Sequence, residues 1–166
     1  MHSAHQRVSI SLKDLVDDYA RVAAPRHPDA IKLLDYWRGI VARCRGFVIG
    51  RDIPVRAIGR LLKNIQIDEP LADGSDVRVR LSGTAVRRRF GTDVRGALHS
   101  ELFSAADFRH HLSAIQEVIR AGQPLFLDSK LKRGAREELH SEVVLLPILD
   151  RDRATPLVLV GIFYFQ

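Results

Sequence analysis

The sequence predicts an α+β domain built on a five-stranded antiparallel sheet. Three observations point there. Apolar residues recur every three to four positions in the first third of the chain, the period drops to two near Ile65, and three β-rich runs close the protein. The length of 166 residues fits one domain, and 46% hydrophobic against 28% charged residues is globular composition.

Residues 1–28 are expected to form an N-terminal helical extension. Ser11 followed by Asp14 reads as a variant capping box, and Leu12, Leu15, Val16 and Tyr19 keep helical spacing until Pro25 and Pro28 break it. The domain proper, 29–166, opens with a helix behind Asp29 whose buried face is expected to carry Ile31, Leu34, Trp37, Val41 and Cys44. A short third helix is read in "RDIPVRAIGRLLKN", with Asp52 near its cap and Ile58, Leu61 and Leu62 facing inward.

"IQIDEP" and "DVRVRLSG" alternate apolar and polar residues, as two strands do, around the turn-rich "PLADGSD". Val77, Val79 and Leu81 form the expected core face of the second strand, with Arg78 and Arg80 opposite. Short helical segments follow. Ser104 then caps the longest helix, whose Phe108, Leu112, Ile115, Val118 and Ile119 share a face until Gly122 and Pro124 stop it. "LFLDSKLK", "LHSEVVLLPIL" and "PLVLVGIFYFQ" complete an antiparallel meander. From Leu157 to Phe165 every residue but Gly161 is apolar, so both faces of the last strand need cover. The long helix serves one face, and the N-terminal helices or a second subunit the other.

The 26 basic and 20 acidic residues leave a net charge of +6, enough for weak attraction to polyanions. A single cysteine, Cys44, excludes an intramolecular disulfide and a Cys-based zinc site, as expected of a cytoplasmic protein. No signal peptide or membrane span is legible, no window approaching the ~18 apolar residues a span needs. Neither a nucleophile elbow nor a phosphate-binding glycine loop is recognisable, so no residue is assigned a catalytic role.

Four motifs stand in order at element boundaries: Tyr36-Trp37-Arg38 on a helix, Asp52-Ile53-Val55 around Pro54, Gly83-Thr84 after the second strand, and Phe90-Gly91-x-Asp93-x-x-Gly96. Together with "IRAGQPLF", "VVLLPILDR" and "LVGIFYF" they resemble the bacterial PAS-like family, over about Ile31 to Phe165. The resemblance implies a single-domain cytoplasmic sensor or protein-interaction module and does not imply an enzyme. Because the chain ends at Gln166, just past the last strand, output is expected to be non-covalent, through a protein partner or a homodimer.

A cavity for a small apolar ligand is expected between the long helix and the sheet, lined by Phe103, Phe108, Leu112, Ile115, Leu127, Val143 and Leu145. Arg87, Arg88 and Arg89 are expected to stay largely solvated and offer a surface to a protein partner, with Trp37 as core or interface anchor. Nucleic acid is the rival partner for that basic stretch, although no aromatic interleaving accompanies the charge. The resemblance also raises a haem-sensor alternative, in which His111 would be the cofactor ligand; the cofactor is otherwise unknown. The other histidines are too dispersed along the chain for metal-ligand spacing, and adjacent His110 and His111 cannot share a helical metal face.

Overall fold

The computed structural model describes residues 16–53, 58–133 and 137–166. One antiparallel sheet runs through them, formed by β1 (Val16–Val22), β2 (Ile65–Pro70), β3 (Val77–Ser82), β4 (Leu125–Arg133), β5 (Glu137–Leu149) and β6 (Pro156–Tyr164). The spatial order is β1-β4-β5-β6-β2-β3, which puts β6 and β5 in the interior. Helix α1 (Pro28–Arg43) covers one face; α4 (Ala105–Ala121) covers the other. Two short helices, α2 (Thr84–Phe90) and α3 (His99–Leu102), bridge β3 to α4.

The sheet has six strands, not five, because Val16–Val22 is a strand where a helix was expected. All seven residues pair antiparallel with β4, from Val16 opposite Lys132 to Val22 opposite Phe126. The helical spacing of Val16 and Tyr19 was too short to outweigh the backbone partners offered by β4, and both residue types suit a strand. Ser11, Asp14 and the rest of that expected helix before Val16 lie outside the described residues.

Burial sorts the two cores cleanly. Ala30, Leu33, Leu34 and Trp37 of α1 pack on Val144, Leu146, Leu157 and Leu159, while Ile115 and Val118 of α4 pack on Val143, Leu145, Val158 and Val160. The face of β6 left open by the sequence is therefore covered within the chain, by α1. Gly161 makes that approach close: a Cβ there would stand 2.7 Å from Leu33 Cδ2. Helix α1 is turned from its expected phase, so Ile31 is exposed, and Cys44 caps the helix end in solvent instead of joining the core.

The motif residues fasten this layer together. Tyr36 donates to the Asp52 carbonyl at 2.6 Å, and the Asp52 carboxylate accepts from Val48 N at 2.8 Å and pairs with Arg51. Beyond Ile53 the described chain resumes at Ile58, and the short third helix expected here is a 3-10 helix, Gly59–Asn64; Pro54 lies outside the described residues. Gly83 explains its own pair motif by contact, since a Cβ would fall 2.4 Å from the carbonyl oxygens of both Leu62 and Lys63.

One strand face departs from its reading. Ile67 pairs with Leu81 but Asp68 with Val79, so Arg80 is an extra residue in a β-bulge. Alternation resets there. Leu81 turns outward, 47% exposed, and Ser82 turns in. Helix α4 matches expectation at both ends, with Ser104 Oγ accepting from Asp107 N and Gly122 closing in the left-handed region at φ 64°.

Candidate functional site

Between α4 and the sheet lies a cavity of about 60 Å³. Its floor is alternate residues of four strands: Gln66 and Asp68 of β2, Leu127 and Ser129 of β4, Val143 and Leu145 of β5, Val160 and Ile162 of β6. The roof is His111, Ala114 and Ile115 of α4. Arg89 and Phe90 of α2, His99 of α3 with Phe103 just beyond its end, and Tyr19 of β1 close the sides.

Five of the seven residues assigned to a cavity from the sequence are walls of it: Phe103, Ile115, Leu127, Val143 and Leu145. Phe108 and Leu112 are not. Phe108 stands in the first turn of α4 away from the cavity, and Leu112 packs at the margin of the α4 core. The surprise is polarity. Four buried polar side chains enter a space expected to be apolar: Gln66, Asp68, His99 and Ser129.

These groups are ordered by one another. Gln66 Nε2 donates to Asp68 Oδ1 at 2.8 Å, which fixes the amide so that Oε1 points away from the carboxylate. His99 Nε2 stands 3.2 Å from Asp68 Oδ2. Asp76 ties the first turn of α3 to β3 by receiving Ser100 Oγ, next to that histidine, and Val77 N; burial works against its charge, but these hydrogen bonds hold the carboxyl below its ordinary range. His111 Nε2 lies 2.5 Å from the Tyr19 hydroxyl, and its ring meets Phe103 edge-on at 4.3 Å and His99 at 5.7 Å. Burial, aided by His99, Arg89 and His110, pushes His111 down to about 3, so its imidazole is neutral at pH 7. Among the described residues no hydrogen bond reaches Gln66 Oε1, either ring nitrogen of His99, or His111 Nδ1, all buried.

The Tyr19–His111 pair stands between the cavity and a second space. An outer cleft of about 190 Å³, bounded by Arg21, His110 and Ser113, shares Tyr19, His111, Ala114 and Leu127 with the cavity. Arg21 is held there by a two-pronged bond to Glu117.

The basic stretch does not act as one patch. Arg88 is exposed and Arg87 half-buried, but Arg89 turns inward, lines the cavity and lays its guanidinium 6.0 Å from the Tyr164 ring centre. Trp37 is only 6% exposed and donates Nε1 to Pro147 O at 2.9 Å, so it is a core residue with no free face for a partner. His111 does not fit a haem ligand: Nε2 is engaged by Tyr19, and the cavity is too small for a porphyrin. Among the described residues no three His, Cys, Asp or Glu are grouped to hold a metal, and no helix is long and apolar enough to cross a membrane.

On the α1 side of the same sheet, Glu142 is fully buried and its carboxylate accepts from the backbone N–H groups of Arg26, at 2.8 and 3.0 Å, and His27, at 2.9 Å. It thereby ties the β1–α1 connection to β5, one residue from Val143 of the cavity floor.

Sequence reasoning missed Gln66, Asp68, His99, Tyr19 and Arg89. A signal existed for the first two: "IQIDEP" reads as a strand whose polar residues would face solvent, yet it lies inside the sheet, between β6 and β3, with Ile65 to Asp68 all buried. A glutamine and an aspartate on a strand buried on both faces need internal partners.

A family model described as PAS domain matches residues 25–164, most of the chain. No curated protein matches it.

Proposed function

From the premise that this chain belongs to the PAS domain family, we propose that it is a sensor that holds a small molecule in the α4 cavity and reports it to a protein partner. PAS domains are as a class sensory and interaction modules, and no residue here is assigned catalysis. The observation that carries the reading is the cavity itself, where buried polar atoms without protein partners stand among apolar walls. Unbonded buried polar atoms cost about 1–3 kcal/mol each, and a ligand that bonds them recovers that cost.

A route for output is supported by the alternation of β5. Val143 and Leu145 face the cavity, while Glu142 between β4 and β6 faces the other side and grips the connection before α1. A ligand that displaces Val143 therefore loads the Glu142 grip, and β1 and α1 are the elements that would signal. An acidic partner surface would meet Arg88 and Arg87; Arg89 is turned to the cavity.

Native mass spectrometry of the protein from its own host, paired with a denatured spectrum, tests this. The expected result is a mass excess that disappears on denaturation. A bare mass, together with an unchanged melting temperature across a small-molecule panel, would sink the sensor reading.

A further inference from the structure

Strand β5 changes neighbours part-way along. Its pairing with β4 stops at Leu145, opposite Leu125, and its next partner on that side is the segment 47–49: Leu149 N donates to Phe47 O at 2.8 Å, and Leu149 O accepts from Ile49 N at 3.0 Å. Pro147, midway between Leu145 and Leu149, turns its backbone to the same side and so faces the gap. It has no N–H to offer, and its carbonyl is taken by the Trp37 indole at 2.9 Å. A further strand finds nothing to pair with there, and the sheet keeps a notch.

The notch has a volume of about 250 Å³ and shares no residue with the lining of the α4 cavity. Trp37, Phe47, Ile148 and Leu157 in its walls are buried, while Val41, Ile119, Pro147 and Leu149 are half-buried. Among the described residues no charged side chain lines it, and the Gly46 carbonyl on its wall already accepts from Arg51 at 2.9 Å. Water held in such a space has few polar partners, so an apolar molecule that displaces it gains affinity. An apolar cavity of about 150 Å³ holds benzene, and the larger notch therefore takes a single ring with a short substituent. The rings of Trp37 and Phe47 favour an aromatic one. We infer that the notch binds a small uncharged aromatic molecule, which touches α1 through Trp37 and Val41 and α4 through Ile119. This site is independent of the α4 cavity and of what that cavity holds.

Trp37 is the single tryptophan of the chain, so its fluorescence reports on the notch. The test titrates the full chain with bromobenzene, whose bromine quenches an indole it touches, and with its charged counterpart 4-bromobenzoate. Bromobenzene is expected to quench along a saturating curve, at least about tenfold more tightly than 4-bromobenzoate, because the notch has no partner for a buried charge. Methyl NMR of the same samples is expected to show shifts at Val41, Ile119 and Leu149. Val41→Phe fills the notch and is expected to lower bromobenzene affinity at least about tenfold, with a melting curve to show that it folds; Ile119→Phe serves if it does not. Quenching that stays linear to the solubility limit, equal affinity for 4-bromobenzoate, or undiminished binding by the filled variant would each overturn the assignment. Methyl shifts confined to Ile115 and Val143 would overturn it too, by placing the compound in the α4 cavity.

Discussion

The Tyr19 hydroxyl stands 2.5 Å from His111 Nε2, and this bond joins edge strand β1 to helix α4 at the boundary between the cavity and the outer cleft. Backbone bonds hold β1 to β4, and this side-chain bond, together with the exposed Arg21–Glu117 pair, holds it to the helix layer. Tyr19→Phe keeps the ring and removes the tie, at a cost of about 1 kcal/mol. The expected outcome is faster hydrogen exchange at β1 amides and faster ligand exchange by NMR. Unchanged rates at both would show that the Tyr19–His111 bond restrains neither β1 nor access to the cavity.

The neutrality of His111 has a consequence for pH. Its folded value of about 3 lies below the ordinary 6.5, so the unfolded chain takes up a proton first as pH falls. The contribution to stability is complete above about pH 6.5 and is lost toward pH 3, by up to about 1.4 kcal/mol per unit. Carboxylates with lowered values, Asp52 and Asp76 among them, act mainly below about pH 4.5, so the comparison of wild type with a His111 variant is made between about pH 4.5 and 6.5. Urea unfolding of wild type across that window is expected to show the slope, and His111→Gln to flatten it. Equal slopes would place the titration elsewhere.

The closing meander, the β2–β3 hairpin and α4 were legible because their patterns depend on local period and on turn residues such as Gly122. β1 was not, since a seven-residue segment carries little period and its strand state is decided by β4, over a hundred residues later. Leu81 was misplaced for a similar reason: a bulge is set by the pairing of two strands and leaves no mark on one. At the site, apolar walls followed from alternation. The polar ones required knowing that β2 is interior, and that Asp68 and His99, 31 positions apart in sequence, stand 3.2 Å apart in space.

Two glycines without special dihedrals should differ in tolerance. Alanine at Gly83 meets two backbone carbonyls at 2.4 Å, which cannot rotate away, whereas alanine at Gly161 meets Leu33 and Phe163 side-chain atoms at 2.7 and 2.8 Å, which can shift. Gly161→Ala is expected to cost about 1–3 kcal/mol by overpacking, and Gly83→Ala more than about 4. Denaturant unfolding of both variants checks the order.

Arg88 and Arg89 are neighbours with opposite surroundings. Arg88→Glu changes a solvated side chain and should leave stability within about 0.5 kcal/mol. Arg89→Glu places a carboxylate in the cavity wall that also holds Asp68, and should destabilise by about 2–4 kcal/mol. Melting curves separate the two, and equal melting temperatures would return Arg89 to the surface.

Glu142 links the two faces of the sheet. Its side chain receives three backbone contacts from Arg26 and His27, and an arrangement in which backbone N–H groups point at both oxygens depends on both oxygens accepting. Glu142→Gln keeps the shape but turns one acceptor into an NH2 that faces other donors, which should cost about 1–3 kcal/mol. The loss is local, so amide exchange at Arg26 and His27 should accelerate more than exchange in β6. If the grip is the output, then binding in the cavity should change protection at those two amides in wild type and not in Glu142→Gln. Equal responses would mean that the signal leaves the sheet by another path, because Val143 would then move without Glu142 carrying the motion to the connection before α1.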